Sequence, residues 1–595
     1  MAQSEIKTCK NCGKNFTIEP EDFLFYEKIK VPAPTFCPEC RLARRAIFYN
    51  VNSIYKRKCD FTGEDIISIF HKDSPIKVYK NKIWWSDKWD AMQYGKDYDF
   101  TKPFFNQVHE LINNTPQMSL AVSDNSINSD YANAAGGLKN CYLVFYADYC
   151  ENSSYSRYLA YIKDSIDILW GRHSENSYGS IDINKCYKAF FSQDCENCHN
   201  IYFSKDLIGC SDCFMCSGLR NKSYCILNQQ YIKAEYEQKI QEFGLGSYRT
   251  IEELKSKTID FWLNYPKKFI HGRNNYNSTG DYIYQSKNAR NMYDVVEVED
   301  SKWLTIMSLG KTKDSYDYTG WGNNAQLIYE CSGVGEGVNN LKFCTMCWPN
   351  NRDLQYCFSC TSCANCFGCV SLRNKQYCIL NKQYTKEEYE TLVPKIIEHM
   401  NSMPYIDKKG RVYKYGEFFP PELSPFCYNE TIAQEYFPLT KEQALEQGYS
   451  WKDSEERNLK IDIKTEDLPD HIKDVKDDII NKIIECQHQG KCNEQCTEAF
   501  KIIPQELEFY RKMNLPLPRL CPNCRHYQRL KQRNPLKLWK RKCQCNGEKS
   551  ENSVYKNSIT HQHGQSPCPN EFETTYAPER PEIVYCEKCY LAEVV

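Results

Sequence analysis

The stretch CANCFGCVSLRNKQYCILNKQY, residues 363–384, repeats the stretch CSDCFMCSGLRNKSYCILNQQY, residues 210–231, at an offset of 153 residues. Upstream, the tripeptide KDS at residues 163–165 recurs at 313–315, which is a slightly smaller offset. The middle of the chain is therefore a tandem duplication. Each copy ends in a segment with helical spacing of apolar residues, which we expect to cap an exposed strand edge.

A short element recurs within this middle region about every 12 residues: a polar or small residue, then Ser or Cys, often followed by an aromatic residue. That interval is too short for pairs of helices, and it predicts strand–turn units stacked in a solenoid, two units per coil. Cys, Ser and Asn should fill the narrow interior, and Tyr should form aromatic rows. Cys213 and Cys366 should then occupy equivalent, solvent-shielded positions.

Five cysteines follow one another at intervals of three residues, from Cys357 to Cys369. The iron–sulfur pattern C-x2-C-x2-C-x3-C-P is matched only in part, because the x3 gap and the Pro are missing. We interpret this run as reduced, buried thiols that pack as small apolar residues. A bound iron–sulfur cluster or zinc ion is the alternative.

The two ends of the chain carry a second duplication. The knuckles Cys9-x2-Cys12 and Cys37-x2-Cys40 can place four thiolates around one Zn²⁺, which replaces the large core that so short a segment lacks. A gapless shift of 484 residues lays this segment on the last part of the chain. It predicts a second zinc site with a CxxxC first knuckle and with Cys486 as a spare ligand, formed by Cys492, Cys496, Cys521 and Cys524.

Five cysteines near the end compete for the four places of a third zinc site. Cys59 persists in the N-terminal copy although Phe61, Lys80 and Ile83 stand where its partners would be, so its counterpart Cys543 is interpreted as a packing residue. We therefore favour Cys545, Cys568, Cys586 and Cys589, with Cys543 in reserve and His561 and His563 as weaker candidates. The sequence thus predicts about three Zn²⁺ per chain.

A basic segment without acidic residues follows each first ribbon, at residues 41–58 and 519–542, and aromatic residues interleave with the charges. Positive charge beside flat rings is typical of surfaces that neutralise phosphates and stack on bases. The alternative is a solvated basic face. The candidate nucleic-acid contacts are Arg41, Arg44, Arg45, Lys56, Arg57, Lys58, Arg525, Arg529, Lys531, Arg533, Lys540, Arg541 and Lys542.

Several motifs together resemble an uncharacterised family of large bacterial zinc-ribbon proteins, with ribbons at both ends and a repeat middle rich in Cys and Tyr. They are CPECRLARR, KRKCDFTGE, WWSDKWDAMQYG, CFGCVSLRNKQYCILN, LTKEQALEQGYSWKD and YAPERPEIVYCEKCYLAEVV. The resemblance covers nearly the whole chain. It implies zinc ribbons and a repeat-rich middle, and it supplies no reaction, substrate or catalytic residue.

The chain has 595 residues, 41% of them hydrophobic, and a formal charge of -1, so no global field marks a nucleic-acid or membrane protein. The first residues lack the apolar core of a secretory signal, and no apolar run is long enough to span a membrane. We expect a cytoplasmic location and no membrane partner. In such a compartment the 34 cysteines indicate metal ligands and buried thiols rather than disulfides.

We expect a mainly β protein in which treble zinc ribbons at both ends flank a duplicated β-solenoid-like region with short capping helices. The expected segments are 1–60, N-terminal zinc ribbon with basic segment; 61–124, degenerate second ribbon and linker; 125–228, solenoid copy 1; 229–275, helical insertion; 276–381, solenoid copy 2; 382–403, capping helix; 404–485, Pro/aromatic linker and acidic helix; 486–542, zinc ribbon with basic segment; and 543–595, C-terminal zinc ribbon.

The leading functional hypothesis is a non-enzymatic zinc protein that holds basic ribbons against nucleic acid or a ribonucleoprotein. A cysteine-rich metal or redox protein is the second hypothesis. A sugar-acting β-solenoid enzyme is the third, since paired carboxylates are its minimum equipment and repeated acids occur at Asp164, Asp167, Asp314 and Asp317. No catalytic triad, HExxH motif or phosphate loop appears in the sequence, so an enzyme is the minority interpretation.

Overall fold

The computed structural model describes residues 3–123, 125–453 and 459–594. The chain divides into two compact units, and each unit is built from two separate segments. Unit 1 contains Met1–Leu120 and Ile270–Asp453, and unit 2 contains Ala121–Phe269 and Ser454–Val595. The N-terminal ribbon region therefore belongs to the same unit as the second repeat copy, and the C-terminal ribbon region to the same unit as the first copy.

The N-terminal part of unit 1 consists of two β-hairpins separated by two helices, followed by a short helical segment. Pro occupies the first position of both α1 and α2, where its missing N–H costs no hydrogen bond. The elements are β1 (Glu5–Thr8), β2 (Asn15–Ile18), α1 (Pro20–Lys28), α2 (Pro38–Ala46), β3 (Tyr55–Lys58), β4 (Asp65–Ser68), β5 (Val78–Tyr79), α3 (Asn81–Trp84), a 3-10 turn (Ala91–Tyr94), α4 (Phe104–Asn114) and β6 (Gln117–Met118).

The first repeat copy, in unit 2, forms two parallel sheets that are closed at one end by the antiparallel strand β17. Two helices follow it, α5 (Lys233–Glu242) and α6 (Tyr248–Leu263). The strands are β7 (Ala132–Gly136), β8 (Tyr142–Asp148), β9 (Ser154–Ala160), β10 (Leu169–Arg172), β11 (Ile181–Asn184), β12 (Tyr187–Phe190), β13 (Gln193–Glu196), β14 (His199–Tyr202), β15 (Ser211–Phe214), β16 (Ser223–Ile226) and β17 (Gln229–Gln230).

Neighbouring parallel strands in this copy are offset by 12 residues, as in the hydrogen bond from the Cys186 N–H to Ser174 Oγ. Left-handed backbone recurs at every third residue from Asn140 to Leu227, counting the glycines among them. Each turn of the chain therefore contains four sides of three residues. The expectation of two units per coil was wrong: one 12-residue unit makes a whole turn, because the left-handed residues bend the chain much more sharply than ordinary strand–turn units do.

The three-residue side explains the spacing of the cysteines. One residue on each side faces the interior, so inward positions recur at intervals of three, and the side chains there are buried cysteine, serine and small apolar residues. Ser180 Oγ donates to the carbonyls of Tyr178 and Ala189, 3.3 and 3.0 Å away. Cys357 Sγ donates in the same pattern to Gln355 and Cys366, at 3.4 and 3.5 Å. Serine and cysteine therefore act as equivalent hydrogen-bond donors at these inward positions, which stack into columns from one turn to the next.

The second repeat copy, in unit 1, forms a single 13-stranded sheet. The helix α7 (Lys386–Ser402) follows its last strand and buries Tyr389 and Ile396. The strands from this part of the chain are β18 (Lys267–Lys268, which pairs within unit 2), β19 (Gly272–Arg273), β20 (Gly280–Tyr284), β21 (Lys287–Arg290), β22 (Met292–Val296), β23 (Val298–Met307), β24 (Thr312–Lys313), β25 (Tyr316–Gly322), β26 (Ala325–Gly335), β27 (Asn339–Lys342), β28 (Arg352–Gln355), β29 (Ala364–Phe367), β30 (Gln376–Ile379) and β31 (Lys382–Gln383).

Three turns of this copy contain one extra residue. Thr312 pairs with Ala325, Gln326 with Asn339, and Asn339 with Arg352, each a step of 13 residues. The next step, from Arg352 to Ala364, is again 12 residues. These insertions account for the growth of the offset between the two copies from 150 at the KDS tripeptides to 153 at the cysteine-rich stretch.

The remaining chain carries short elements in unit 1 and the two ribbons of unit 2. The acidic helix expected near the end of 404–485 is absent from the described residues 459–485, where three 3-10 turns stand instead. The elements are β32 (Tyr405–Ile406), β33 (Val412–Tyr413), α8 (Ile432–Tyr436), α9 (Lys441–Glu446), β34 (Ile484–Glu485), β35 (Ala499–Phe500), α10 (Pro504–Met513), α11 (Pro522–Leu530), β36 (Trp539–Lys542), β37 (Glu571–Thr574), β38 (Val584–Tyr585) and α12 (Glu587–Val594), with 3-10 turns at Pro421–Leu423, Tyr428–Glu430, Thr465–Asp467, Ile472–Asp474 and Asp477–Asn481.

Candidate metal centres

The first group of thiols contains the four cysteines predicted for the N-terminal zinc site. Cys9 and Cys12 lie in the turn between β1 and β2, while Cys37 precedes α2 and Cys40 lies in its first turn. Their Sγ atoms all lie within 4.8 Å of one another. The backbone N–H of Cys37 donates to Cys9 Sγ at 3.2 Å, and Asn11 Nδ2 donates to Cys40 Sγ at 3.3 Å. The turn of the β1–β2 hairpin and the first turn of α2 thus bring the four sulfur atoms together.

Two neighbouring thiols of this group have pKa values that are shifted in opposite directions. The neighbouring thiol of Cys40 lowers the pKa of Cys37, and Cys37 in turn raises the pKa of Cys40. The sulfur of Cys37 is therefore the easier of the two to deprotonate. A bound cation would favour the thiolate form of both cysteines. Four sulfur ligands at this separation match the donor set of a closed, structural zinc site.

The second group differs from the prediction by one residue. Cys486, not Cys492, joins Cys496, Cys521 and Cys524 within 4.8 Å. The Cys521 N–H donates to Cys486 Sγ at 3.2 Å, as Cys37 does to Cys9. The Cys486 N–H donates to the carbonyl of Glu498, as Cys9 does to Lys14. Cys486 is therefore the counterpart of Cys9.

A seven-residue insertion between the first two ligands explains the error. Cys9 and Cys12 are separated by three positions, whereas Cys486 and Cys496 are separated by ten. A gapless alignment skips the insertion and selects Cys492 by its nearness to Cys496. Cys492 instead belongs to a neighbouring group with His488, Glu494 and Cys524, and its Sγ lies 3.7 Å from that of Cys524.

The third group also corrects one predicted ligand. Cys543, which we held in reserve, lies within 4.8 Å of Cys568, Cys586 and Cys589. The Cys586 N–H donates to Cys543 Sγ at 3.2 Å, and in the degenerate N-terminal copy the Lys80 N–H donates to Cys59 Sγ at 3.3 Å. Cys59 thus keeps the position of a first ligand after its partners are lost. Its persistence was mistaken for evidence of a packing role.

Cys545 occupies a separate group with His561, His563 and Cys589, whose ligand atoms also lie within 4.8 Å of one another. The three groups of four cysteines, Cys9/Cys12/Cys37/Cys40, Cys486/Cys496/Cys521/Cys524 and Cys543/Cys568/Cys586/Cys589, are called the thiol quartets below. They show that metal binding is chemically possible at both ends of the chain.

The arginines of the first basic segment are buried in ion pairs, which contradicts their assignment to nucleic acid. Arg41 Nε and Arg45 Nη1 both donate to Asp317, at 2.9 and 3.1 Å. Arg44 contacts Glu330 and Glu417, each at 2.8 Å. All three guanidinium groups are at most 2% exposed. The sequence hid these partners because Arg41 and Asp317 lie 276 residues apart.

The C-terminal basic segment repeats the contacts of Arg41 and Arg45 with a single aspartate. Arg525 Nε contacts Asp167 Oδ2 at 2.7 Å, and Arg529 Nη1 contacts Asp167 Oδ1 at 3.0 Å. Arg533 contacts Asp182 at 2.9 Å and is also buried. Each of the helices α2 and α11 therefore packs its arginines against the repeat copy of its own unit. The assignment of Arg525, Arg529 and Arg533 to phosphate contacts was wrong for the same reason.

The other candidate residues lie on β3, on β36 and at the end of α11. Arg57 pairs with Asp60 at 3.0 Å, Lys531 contacts Glu494, and Arg541 donates to Gln544 at 2.9 Å. Four exposed lysines remain on β3 and β36, two of them near acidic residues of the partner strand: Lys56, Lys58, Lys540 and Lys542. We call these the strand lysines.

The repeat acids are explained by their positions in the turns. Asp164, Asp167, Asp314 and Asp317 all have left-handed backbone, which Asp tolerates better than most residues do. Asp167 and Asp317 are committed to the buried ion pairs described above, while Asp164 accepts from Asn152 at 2.9 Å. This arrangement leaves no support for a catalytic carboxylate pair among these four residues.

The cysteines from Cys357 to Cys369 are at most 1% exposed, and Cys213 and Cys366 both have 0% exposure at inward positions. Their sulfurs donate to backbone carbonyls, for example Cys366 to Ala364 at 3.4 Å. This agrees with the interpretation as reduced, packed thiols.

The comparisons with known proteins do not show a family for this chain. Neither a family model nor a curated protein matches the chain. One solved structure, provisionally described as an acetyltransferase from Desulfovibrio desulfuricans G20, aligns at 8% identity over 49% of this chain and 85% of that chain, with a TM-score of 0.09. Within the described residues, no helix combines the length and the apolar character needed to cross a membrane.

Proposed function

We propose that this chain is a non-enzymatic scaffold protein in which three structural zinc ions hold ribbon modules against two copies of a β-solenoid. One observation supports the proposal most directly. In the quartets of Cys9 and of Cys486, the helix that carries the last cysteine also carries the arginines of a buried ion pair. Cys37 and Cys40 lie at the start of α2, and Arg41 and Arg45 continue the same helix into contact with Asp317. Zinc would thus fix the helix that docks on the repeats.

The cytoplasmic location and the solenoid belong to this proposal. Parallel strands at steps of 12 or 13 residues support a solenoid, since each turn of the chain lies in register on the one before it. Reduced thiols throughout support a reducing compartment, because the described cysteines are all free. A scaffold needs rigid, extended surfaces rather than a reaction centre, and the site chemistry described above consists of structural groups.

Nucleic acid or a ribonucleoprotein remains the proposed partner. The strand lysines are now the residues that we propose to contact it. They are exposed and occur at equivalent positions of both ribbon copies. The partner is thus met by two similar faces, one on each ribbon copy. The resemblance to large bacterial zinc-ribbon proteins agrees with this interpretation and adds no partner of its own.

Metal analysis of ligand variants tests the zinc assignment. Cys486→Ser should lower the zinc content of the full-length protein by one ion per chain, because it removes one of four ligands from a quartet. Cys492→Ser, a matched change six residues away, should leave that ion in place. Equal loss from both variants, or no loss from Cys486→Ser, would contradict the quartet as described.

Chelation gives a functional readout of the same idea. Removal of zinc should loosen α2 and α11 and raise their amide exchange while the repeat strands stay protected, since the repeats have their own buried interior. Unchanged exchange in both helices after complete removal would show that zinc does not hold the docking surface.

A further inference from the structure

A second cluster of metal-ligating side chains lies beside the third quartet. Cys545, His561 and His563 come from the segment between β36 and β37, and Cys589 comes from α12. Their ligand atoms lie within 4.8 Å of one another. Cys545 has 0% exposure, His561 5% and Cys589 3%. Buried polar side chains of this kind need partners, and each of these has one.

The two histidine rings are oriented from outside the cluster. His561 Nε2 lies 2.8 Å from a carboxylate oxygen of Glu593, and both side chains are at most 2% exposed. Because that nitrogen is engaged, Nδ1 of His561 is the one available to a metal. His563 Nδ1 lies 2.6 Å from the carbonyl of Ser566, so it donates there and leaves Nε2 as the acceptor. That Nε2 lies 3.4 Å from Cys589 Sγ.

Outer-shell partners of this type are the usual companions of metal-bound histidine, since they fix the tautomer and turn the other nitrogen toward the ion. Glu593 is itself held in place. It accepts from the Tyr555 hydroxyl at 2.9 Å and from the Ser558 backbone N–H at 2.8 Å. A buried carboxylate held by these donors keeps a fixed position and orients the ring of His561.

The sulfur of Cys545 also behaves as an acceptor. Asn557 Nδ2 donates to Cys545 Sγ at 3.2 Å, and the Tyr585 hydroxyl donates to Asn557 Oδ1 at 2.8 Å. The amide is therefore turned so that its N–H points at the sulfur. This hydrogen bond holds the Cys545 sulfur in place within the cluster and leaves it in the acceptor role that a metal ligand has.

We propose that the C-terminal module binds a second Zn²⁺ through Cys545, His561 and His563, with Cys589 as a thiolate bridge to the ion of the third quartet. The inference rests on the proposed zinc site of that quartet, because Cys589 is shared. A thiolate sulfur has lone pairs enough to bind two cations, so each ion obtains four ligands, S4 in the quartet and S2N2 in the new site. Both are donor sets that zinc accepts.

The degenerate N-terminal module provides an internal comparison. There Cys59 keeps its backbone hydrogen bond, but Phe61 stands at the sequence position that matches Cys545, and the short β3–β4 hairpin contains no histidine. The 24 residues from Asn546 to Pro569 that carry both histidines are a feature of the C-terminal copy. Both histidines therefore lie on one segment of the C-terminal copy, directly after Cys545.

The number of zinc ions in the native, full-length protein tests the proposal, measured by native mass spectrometry after reconstitution with Zn²⁺. We expect four ions per chain: one in each quartet and one at the new site. A count of three, with Cys486→Ser lowering it to two, would overturn the second ion alone. A count that Cys486→Ser does not lower would overturn the proposed function as well.

Variants locate the fourth ion. His561→Gln/His563→Gln should hold one ion fewer than the parent protein, whereas His173→Gln/His199→Gln, a matched pair in the repeats, should hold the same number. Retention of the other ions reports that the variant is folded. Cys545→Ser provides a second route to the same loss. An unchanged count in both the histidine pair and Cys545→Ser would refute the assignment.

Cobalt gives a spectroscopic readout that does not depend on counting. Co²⁺-loaded parent protein should show more thiolate-to-cobalt charge-transfer absorption than the histidine variant, because the new site contributes bonds to Cys545 and Cys589. Identical spectra per chain would contradict the bridge.

Discussion

Replacing Asp167 by Asn should destabilise the docking of α11 on the first repeat copy. Asp167 is 1% exposed, its carboxylate oxygens lie 2.7 Å from Arg525 Nε and 3.0 Å from Arg529 Nη1, and both arginines are at most 7% exposed. Asn keeps the size of the side chain and tolerates the left-handed backbone at this position, where φ is 61°. The substitution therefore removes charge and little else.

The expected magnitude follows from what remains around the two guanidinium groups. Glu506 lies 3.7 Å from Arg525, and Arg529 Nη2 donates to the Tyr155 carbonyl at 3.3 Å. Breaking a buried pair by removing one partner costs about 3–5 kcal/mol. Amides of α11 should then exchange about 100-fold faster or more, since every ~1.4 kcal/mol is a factor of ten.

Hydrogen–deuterium exchange of the zinc-loaded protein, followed by mass spectrometry of α11 peptides, measures this loss. Asp164→Asn is the matched control, because Asp164 has the same left-handed backbone without the ion pair. The twin change Asp317→Asn should cost less at α2, since Glu330 stays within 4.0 Å of Arg41 and Arg45. Equal exchange of α11 in Asp167→Asn and Asp164→Asn would refute the docking role.

Three further outcomes are expected. In the native protein Cys213 and Cys366 should resist thiol reagents that label them after denaturation, because both have 0% exposure; rapid native labelling would contradict the packed interior. Burial lowers the pKa of Lys267 to about 7 from 10.5, with the charge of Lys205 adding to the effect. The unfolded chain then binds the proton that the folded chain releases, so the free energy of unfolding should rise between about pH 7 and 10.5. Lys267→Met should stabilise the protein by on the order of a few kcal/mol near neutral pH and flatten this slope, and an unaltered pH profile would rule the explanation out. Finally, replacing the strand lysines by Gln should reduce the slope of log K against log salt by up to about 3.6 for duplex DNA, and a parent protein that binds no nucleic acid at low salt would point to a protein partner.

The sequence alone predicts the parts of this structure that depend on repeated residues. The 12-residue interval, the duplicated middle and ten of the twelve quartet cysteines could be read directly, because identical side chains recur at fixed spacing. The number of units per turn could not be predicted. It depends on residues with left-handed backbone such as Tyr146 and Tyr158, and tyrosine is not a residue type that indicates this conformation.

The sequence analysis placed two cysteines in the wrong quartet and six buried arginines on a nucleic-acid surface. Both errors have a physical cause. Cys492 and Cys545 lie near a quartet in sequence, but the backbone N–H groups of Cys521 and Cys586 point at Cys486 and Cys543. The arginines look like free positive charge because their acidic partners lie hundreds of residues away. Local charge counts cannot detect neutralisation by a distant segment.

The 13-residue turns have a consequence for how such a chain can change its length. Each extra residue between Thr312 and Arg352 is absorbed within its own turn, and the inward columns resume in the next one, where Leu354 pairs with Cys366. A single insertion therefore shifts the numbering of everything downstream without moving a side chain from inside to outside. In an ordinary strand the same insertion would turn every later residue to the opposite face. Single-residue insertions should therefore be tolerated in this architecture. The two copies can differ in length by single residues while their interior side chains stay alike.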